Sequence, residues 1–258
     1  MTEAGPDAGA AELRPAYYAQ PRFLRRRSVR DWWTLLHPPY TLWHLAYVVI
    51  GACLVGPVRV SRLIASVLAF FLAVGIAAHA LDELHGRPLR TSIPDWALVV
   101  AAVGGLAGAV ALGIVGVVQV GWVLAIFIVV GLAIALSYNL ELFGARLHTD
   151  AMFAASWGAF PVLTGYAAQH DTIGVPALLA SVFAYFLASA QRRLSTPARR
   201  LRRRTTSVSG RIVALDGSES ELTAASILGP LEGALAALSW SVVALAVALA
   251  LAQLHAWR

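Results

Sequence analysis

The chain of 258 residues is 59% hydrophobic and only 13% charged, with a mean hydropathy of +0.69. That charge content is about half that of a soluble domain, so an ordinary water-soluble globule is excluded. At roughly 20 apolar residues per crossing, the apolar stretches predict an all-α integral membrane protein with about seven transmembrane helices. A transmembrane β-barrel would alternate apolar and polar residues, whereas these runs are apolar all round and rich in Ala, Leu, Val and Gly.

Basic side chains outnumber acidic ones by 20 to 14, giving +6, and every basic residue is arginine. Guanidinium groups suit phosphate or anionic lipid. Nucleic acid is not an expected partner, because the cations flank apolar spans where positive-inside topology accounts for them. Residues 1–30 form a polar, basic leader without a signal-peptide core. Arg25, Arg26, Arg27 and Arg30 followed by Trp32 and Trp33 suggest a headgroup interface.

The spans are then expected at Thr41 to Pro57, Ser61 to Leu81, Trp96 to Gly116, Val117 to Tyr138, Ala151 to Gln169, Val175 to Gln191 and Ala234 to Leu254. Short connections near Gly56 to Arg59 and Gly113 to Gln119 imply antiparallel hairpins. Cys53 has no partner for an intrachain disulfide and is expected to be a packing residue. His37 and His44, with Tyr40 and Trp43, are expected to anchor the first span at the interface, and Gly75, Gly104, Gly105, Gly131 and Gly158 to let helices approach.

Residues 31–191 thus make the membrane core. Residues 192–222 carry seven Arg within Arg192 to Arg204 and are expected as a mobile loop, and residues 223–258 hold the last helix, preceded by a possible half-span at Ala224 to Ala237. The leader, Asp82 to Pro94, Asn139 to Asp150 and Arg192 to Leu222 fall on one side and hold most of the Arg. That side is expected to be cytoplasmic in a multi-pass protein of the cell membrane. No internal repeat, Gly-rich nucleotide loop or serine-nucleophile elbow is present.

Two polar clusters stand at helix ends on the Arg-rich side. His79, Asp82 and Glu83 are spaced i, i+3 and i+4, so they share one helix face and are able to converge on one ion. Ionisable groups inside an apolar span cost several kcal/mol unless paired or facing a wet cavity, which marks them as functional. The second cluster runs from Ser137, Tyr138 and Asn139 through Glu141 and Arg146 to His148 and Asp150. Together the clusters offer His79, Asp82, Glu83, Glu141 and His148 to a metal, and Arg87, Arg90 and Arg146 to a phosphate. Such oxygen-rich donors suit Mg2+ or Mn2+, and a mixed His/carboxylate set would suit Zn2+ or Fe2+.

The layout resembles the UbiA-type intramembrane prenyltransferase superfamily. His37-Pro38-Pro39-Tyr40 looks like the family's first-helix start, His79 to Thr91 falls where the first Asp-rich motif stands, and Ser137 to Arg146 with Gly158-Ala159-Phe160-Pro161 resembles the following loop and helix. This chain is a divergent case: Arg87 stands where the motif's second Asp would be, and Ala188 to Arg204 has no acidic residue where a second motif belongs. The resemblance implies transfer or rearrangement of a prenyl group from a prenyl diphosphate. Asp82 and Glu83 would hold the divalent cation, and Tyr138 would orient the acceptor or stabilise the allylic cation. Arg87, Arg90, Asn139, Arg146, Arg192 and Arg193 would bind the leaving group. Two alternatives remain open at this level: a His/Asp/Glu metal enzyme of other chemistry on an isoprenoid lipid, and a non-catalytic lipid-binding or transport protein.

Overall fold

The computed structural model describes residues 14–21, 23–142, 144, 146–147 and 149–255. The chain is mostly helical. A short helix α1 (Arg27–Leu35) precedes α2 (Pro38–Cys53), α3 (Val60–Leu84), α4 (Asp95–Gln119) and α5 (Val123–Asn139). Then come α6 (150–170), α7 (Val175–Arg204) and, after a two-stranded hairpin, α8 (Ala224–His255). The hairpin pairs β1 (Arg211–Val213) with β2 (Glu219–Glu221) in antiparallel register, Arg211 opposite Glu221.

From α2 to α8 the helices run alternately up and down. The starts of α2, α6 and α8 and the ends of α3, α5 and α7 line one chamber, and Arg87 ties the start of α4 to the same end through Asp95. At the other end Arg62 donates to the carbonyls of Gln119, at 2.6 Å, and Gln169, at 3.0 Å, while Gln253 donates to Cys53 O at 3.1 Å. Four helices, α3, α4, α7 and α8, are long and apolar enough to cross a membrane by length and composition. The other three segments of the expected seven differ for physical reasons. Helix α2 has 16 residues, α5 is apolar but has 17, and α6 dilutes its apolar residues with Ser, Thr, Gln and Gly.

Outward faces are greasy and inward stripes are small. On α7 the buried positions Ala177, Ser181, Ala184, Ala188, Gln191, Ser195 and Ala198 alternate steps of four and three, whereas Val175, Leu178, Leu179, Val182, Phe183 and Phe186 face out. That is how a helix packs on one side and meets lipid on the other. The core gathers on α2, where Trp43, Ala46, Tyr47 and Ile50 pack against Val162 of α6, Ala184 of α7 and Val242 and Ala246 of α8.

Three boundaries move. Helix α4 continues through Gly113 to Gln119, so the turn falls at Val120 to Trp122. Helix α7 carries straight past Gln191 and through Pro197 to Arg204, so the first part of the expected mobile loop is helix. It is held there by ion pairs from Arg192 to Asp150 and from Arg202 to Glu232. Helix α8 begins at Ala224 and absorbs the expected half-span, with Pro230 inside it.

Helices α2 and α6 touch backbone to backbone. A Cβ placed on Gly51 would lie 2.0 Å from Val162 O, and one on Gly165 would lie 2.2 Å from Val48 O. Replacing Gly165 by Val should therefore lower the thermal unfolding midpoint in detergent sharply, since overpacking costs about 1–3 kcal/mol even where only side chains must yield. Gly104→Ala, whose methyl meets nothing within 4 Å, should leave the midpoint in place; equal melting of the two variants would contradict the contact.

Candidate functional site

Two stretches of helix in this bundle are wound wider than α. Phe71–Ala78 of α3 and Ala155–Ala159 of α6 are π-helical, a geometry that recurs at functional sites. Each offers a backbone carbonyl to an imidazole: Gly75 O meets His79 Nδ1 at 3.1 Å, and Trp157 O meets His44 Nδ1 at 2.8 Å. His37, held at φ 46° just before the Pro38-Pro39 start of α2, bonds Leu35 O through Nδ1 at 2.7 Å. A carbonyl only accepts, so all three rings carry a proton on Nδ1, and in the neutral ring the lone pair is then on Nε2.

These rings face a chamber of ≈ 1140 Å³ at the Arg-rich end. His37 and His79 stack in it, centroids 4.4 Å apart and planes 20° from parallel. Lone pairs lying in two nearly parallel planes do not meet at one ion, so the pair is not a chelate. In their neutral form the two rings are proton acceptors through Nε2. His37, which lies outside the helices, is held well below the ordinary imidazole range, first by burial and then by His79 beside it, with Arg203 and Arg199 adding to the effect and the Leu35 carbonyl opposing it.

Asp82, Arg87, Arg90, Tyr138, Asn139, Glu141 and Arg192 all line this chamber. Asp82 and His79 sit together at the end of α3. Tyr138 is buried against Trp157, ring centroids 5.8 Å apart and edge to face, with Phe153 at 6.4 Å. Asn139 donates to Ala135 O at 2.8 Å. Glu141 stands 3.7 Å from His85 Nε2. Arg87 is turned onto the following loop, donating to Ile93 O at 2.6 Å and to the Asp95 carboxylate. Arg192 pairs with Asp150 at 2.8 Å and lies 5.1 Å over the Phe153 ring.

Glu83 is placed otherwise than the shared-face spacing predicts. It is fully buried and faces the loop, where one carboxylate oxygen accepts from Leu89 N at 2.9 Å and the other from Thr91 N at 2.9 Å and Thr91 Oγ1 at 2.8 Å. Three residues advance a helix by about 300° and four by about 400°, so Asp82 and Glu83 stand about 100° apart on either side of His79, and the chamber lies on the Asp82 side. The role of Glu83 is to fasten the loop 85–91. Arg146 and Arg193 are exposed and outside the chamber lining, and His148 lies outside the described residues. Among the described residues no three His, Cys, Asp or Glu side chains converge as a metal site. Of the donors suggested for a metal, His79, Asp82 and Glu141 line the chamber and Glu83 does not.

The structure adds residues that the sequence pattern left as anchors or loop. Tyr17 and Tyr18 of the leader, Tyr40 and His37, and Arg199 and Arg203 all face the chamber. The leader segment is strapped across it: Arg202 donates to Arg14 O at 3.3 Å, Arg203 to Pro15 O at 3.1 Å, and Gln20 N to Thr34 Oγ1 at 2.9 Å. The available signal was the spacing of Arg192, Arg199 and Arg203, seven and four residues apart on one helix face.

A second cavity lies beside the chamber. It is an apolar slot of ≈ 160 Å³ among α3, α4, α5 and α6, lined by small residues such as Ala69, Ala73, Ala109 and Gly113, and it shares Val74 and Trp157 with the chamber wall. Its lining reaches Arg62 and Gln119 near the opposite end. From Arg62 to Val74 along α3 is about 18 Å at the usual rise. Comparison of the chain with protein-family profiles, characterised proteins and solved structures finds no match.

Two outcomes test these placements. Glu83→Gln sets an N–H against the donors of the loop and should cost about 2–3 kcal/mol of stability, seen as a lower melting point, while the folded fraction keeps its ligand affinity; a melting point like that of the unaltered chain would remove the loop-fastening role. For His37, the folded pKa lies below the unfolded value of about 6.5. Above that pH the shift has no effect, and below it the unfolded chain takes up a proton that the folded chain does not, so stability falls by up to about 1.4 kcal/mol per pH unit. Melting curves of His37→Gln should show a flatter acid limb than those of the unaltered chain, and parallel limbs would contradict it.

Proposed function

We propose that the chain is an intramembrane enzyme that transfers or rearranges a prenyl group carried on a diphosphate, a divergent relative of the UbiA-type superfamily. All seven of the helices α2 to α8 would lie in the cell membrane, with the Arg-rich chamber at the cytoplasmic face. The observation that carries this reading is the adjacency of a chamber lined by eight arginines and three acidic residues to an apolar slot lined by small side chains, with Val74 and Trp157 as wall residues of both.

In this reading the tail occupies the slot and the diphosphate the chamber, which puts the allylic carbon at the junction beside Trp157, Tyr138 and Phe153. Guanidinium groups neutralise the charge that grows on the leaving oxygen as the carbon–oxygen bond breaks and its electron pair departs with the diphosphate. Aromatic faces stabilise the allylic cation, and the surrounding apolar helices keep water from it. An acceptor then attacks the allylic carbon and gives its proton to Nε2 of His37 or His79, with Asp82 near enough to hold the imidazolium that forms. Tyr138, at the junction, orients the acceptor.

The test is reaction of the purified full chain in detergent with farnesyl or geranylgeranyl diphosphate, following release of diphosphate and the mass of the prenyl product. Ala109→Trp, which fills the slot, should reduce the rate roughly tenfold or more with geranylgeranyl diphosphate and leave the fold intact by melting point. Asp82→Asn should lower turnover with little change in substrate affinity. If neither diphosphate is bound or consumed, the proposal falls; binding without turnover would leave a lipid-binding protein in its place.

A further inference from the structure

The arginines of the last turns of α7 fall into two stripes. Arg193, Arg200 and Arg204 are exposed, the last two still lining the chamber, whereas Arg192, Arg199 and Arg203, at the same spacing one residue earlier, are partly buried in its wall. The buried-side stripe is not uniformly neutralised. Arg192 has Asp150 and the neighbouring Arg202 has both oxygens of Glu232. Arg199 and Arg203 have no carboxylate among the described residues; Arg199 makes one long contact, 3.4 Å to Thr196 Oγ1, and Arg203 donates through Nε to Pro15 O.

Opposite this pair stand Tyr18 and Tyr40, packed edge to face at 5.6 Å, and His37, 5.5 Å from Tyr18. Burial drives the Tyr18 hydroxyl well above the ordinary phenol range, Tyr40 adds to it, and Arg203 and Arg199 pull the other way without cancelling it. The phenol therefore keeps its proton and is a donor. A corner with two guanidinium groups lacking counter-ions and two hydroxyl donors, recessed from solvent, is costly while empty, because charges removed from water need partners. A phosphate oxyanion supplies them, and guanidinium forks match its geometry. The two arginines are one helical turn apart, about 6 Å along the axis, which suits two forks on one phosphate or on adjacent phosphates.

We propose that Arg199 and Arg203, with the hydroxyls of Tyr18 and Tyr40, form a cradle that binds a phosphate or diphosphate oxyanion without a metal ion. This rests on the functional reading above for the identity of the tail but not for the anion. It places arginine where a cation held by carboxylates would otherwise bridge protein and diphosphate, in keeping with an α7 end that has no acidic residue from Ala188 to Arg204. The leader segment belongs to the cradle, since it brings Tyr18 and occupies Arg203 Nε.

Titration of the purified full chain with farnesyl diphosphate, inorganic pyrophosphate and farnesol, each in excess EDTA and again with excess Mg2+, tests the cradle. Farnesyl diphosphate should bind in EDTA. Arg199→Gln should weaken it roughly tenfold or more, the loss expected when one charged hydrogen-bonding group is removed, and Arg203→Gln similarly. Arg193→Gln, outside the chamber, should leave it unchanged, and melting points of all three variants establish that they fold. Pyrophosphate binding with the same Arg199 dependence identifies a free anion as sufficient, and binding of farnesyl diphosphate alone identifies the lipid-borne headgroup; both support the cradle. Binding that requires Mg2+, or that survives Arg199→Gln undiminished, overturns the cradle while the prenyl-transfer reading stands. Pyrophosphate binding in EDTA with no gain from the farnesyl tail, and no effect of Ala109→Trp, overturns the prenyl reading and leaves the cradle.

Discussion

The approach of α2 to α6 through Gly51 and Gly165 leaves no space for a side chain between two backbones, and much of the bundle follows from it. Because the two helices meet so closely, Trp43 and Tyr47 are fully buried, α8 packs along the other flank of α2, and the π-helical turn of α6 comes to His44 with a carbonyl to offer. The same economy of side chain repeats where Gly158 meets the Ala184 backbone and Gly105 meets Leu72. Between apolar helices in lipid there is no hydrophobic gain from association, so close van der Waals packing of small residues is what holds them.

A bundle built in this way concentrates its polar groups at its ends, and here the two ends are unlike. One is closed by carbonyl contacts from Arg62 and Gln253. The other is held open as a chamber by parts that tie themselves down elsewhere: Glu83 secures the loop 85–91, Asp31 accepts from Ser92, and Arg202 with Glu232 joins α7 to α8. These pairings consume the charges nearest the scaffold. What remains facing the chamber is an excess of guanidinium, a stacked pair of imidazoles and phenols that keep their protons. Such a lining favours an anion and has acceptors ready for a proton, and the slot beyond Trp157 gives an apolar chain somewhere to lie.

Much of the layout was legible in the chain. Apolar runs of spanning length, arginine crowded on alternate connections and the polar residues around His79 and Tyr138 mark the helices and the end where the chamber lies, because transfer of charge into hydrocarbon is too costly to place it elsewhere. Helix ends were less legible. Gly113 to Gln119 reads as a turn by composition yet continues as helix, and Arg192 to Arg204 reads as a loop by charge density yet is helix, since pairing with Asp150 and Glu232 depends on residues distant in sequence.

The site divides in the same way. Composition and spacing by themselves determined an arginine-rich, multi-helix membrane protein with His79, Asp82 and Tyr138 at one end, for these follow from local periodicity and from the cost of burying charge. Tertiary structure alone decided that Glu83 turns to a loop, that His37 crosses from a helix start to stack on His79, and that the leader delivers Tyr18 to Arg199 and Arg203. The last two are set by contacts between segments far apart in the chain, whereas Glu83 meets a loop only six to eight residues on, a choice of helix face that the spacing of His79, Asp82 and Glu83 leaves open.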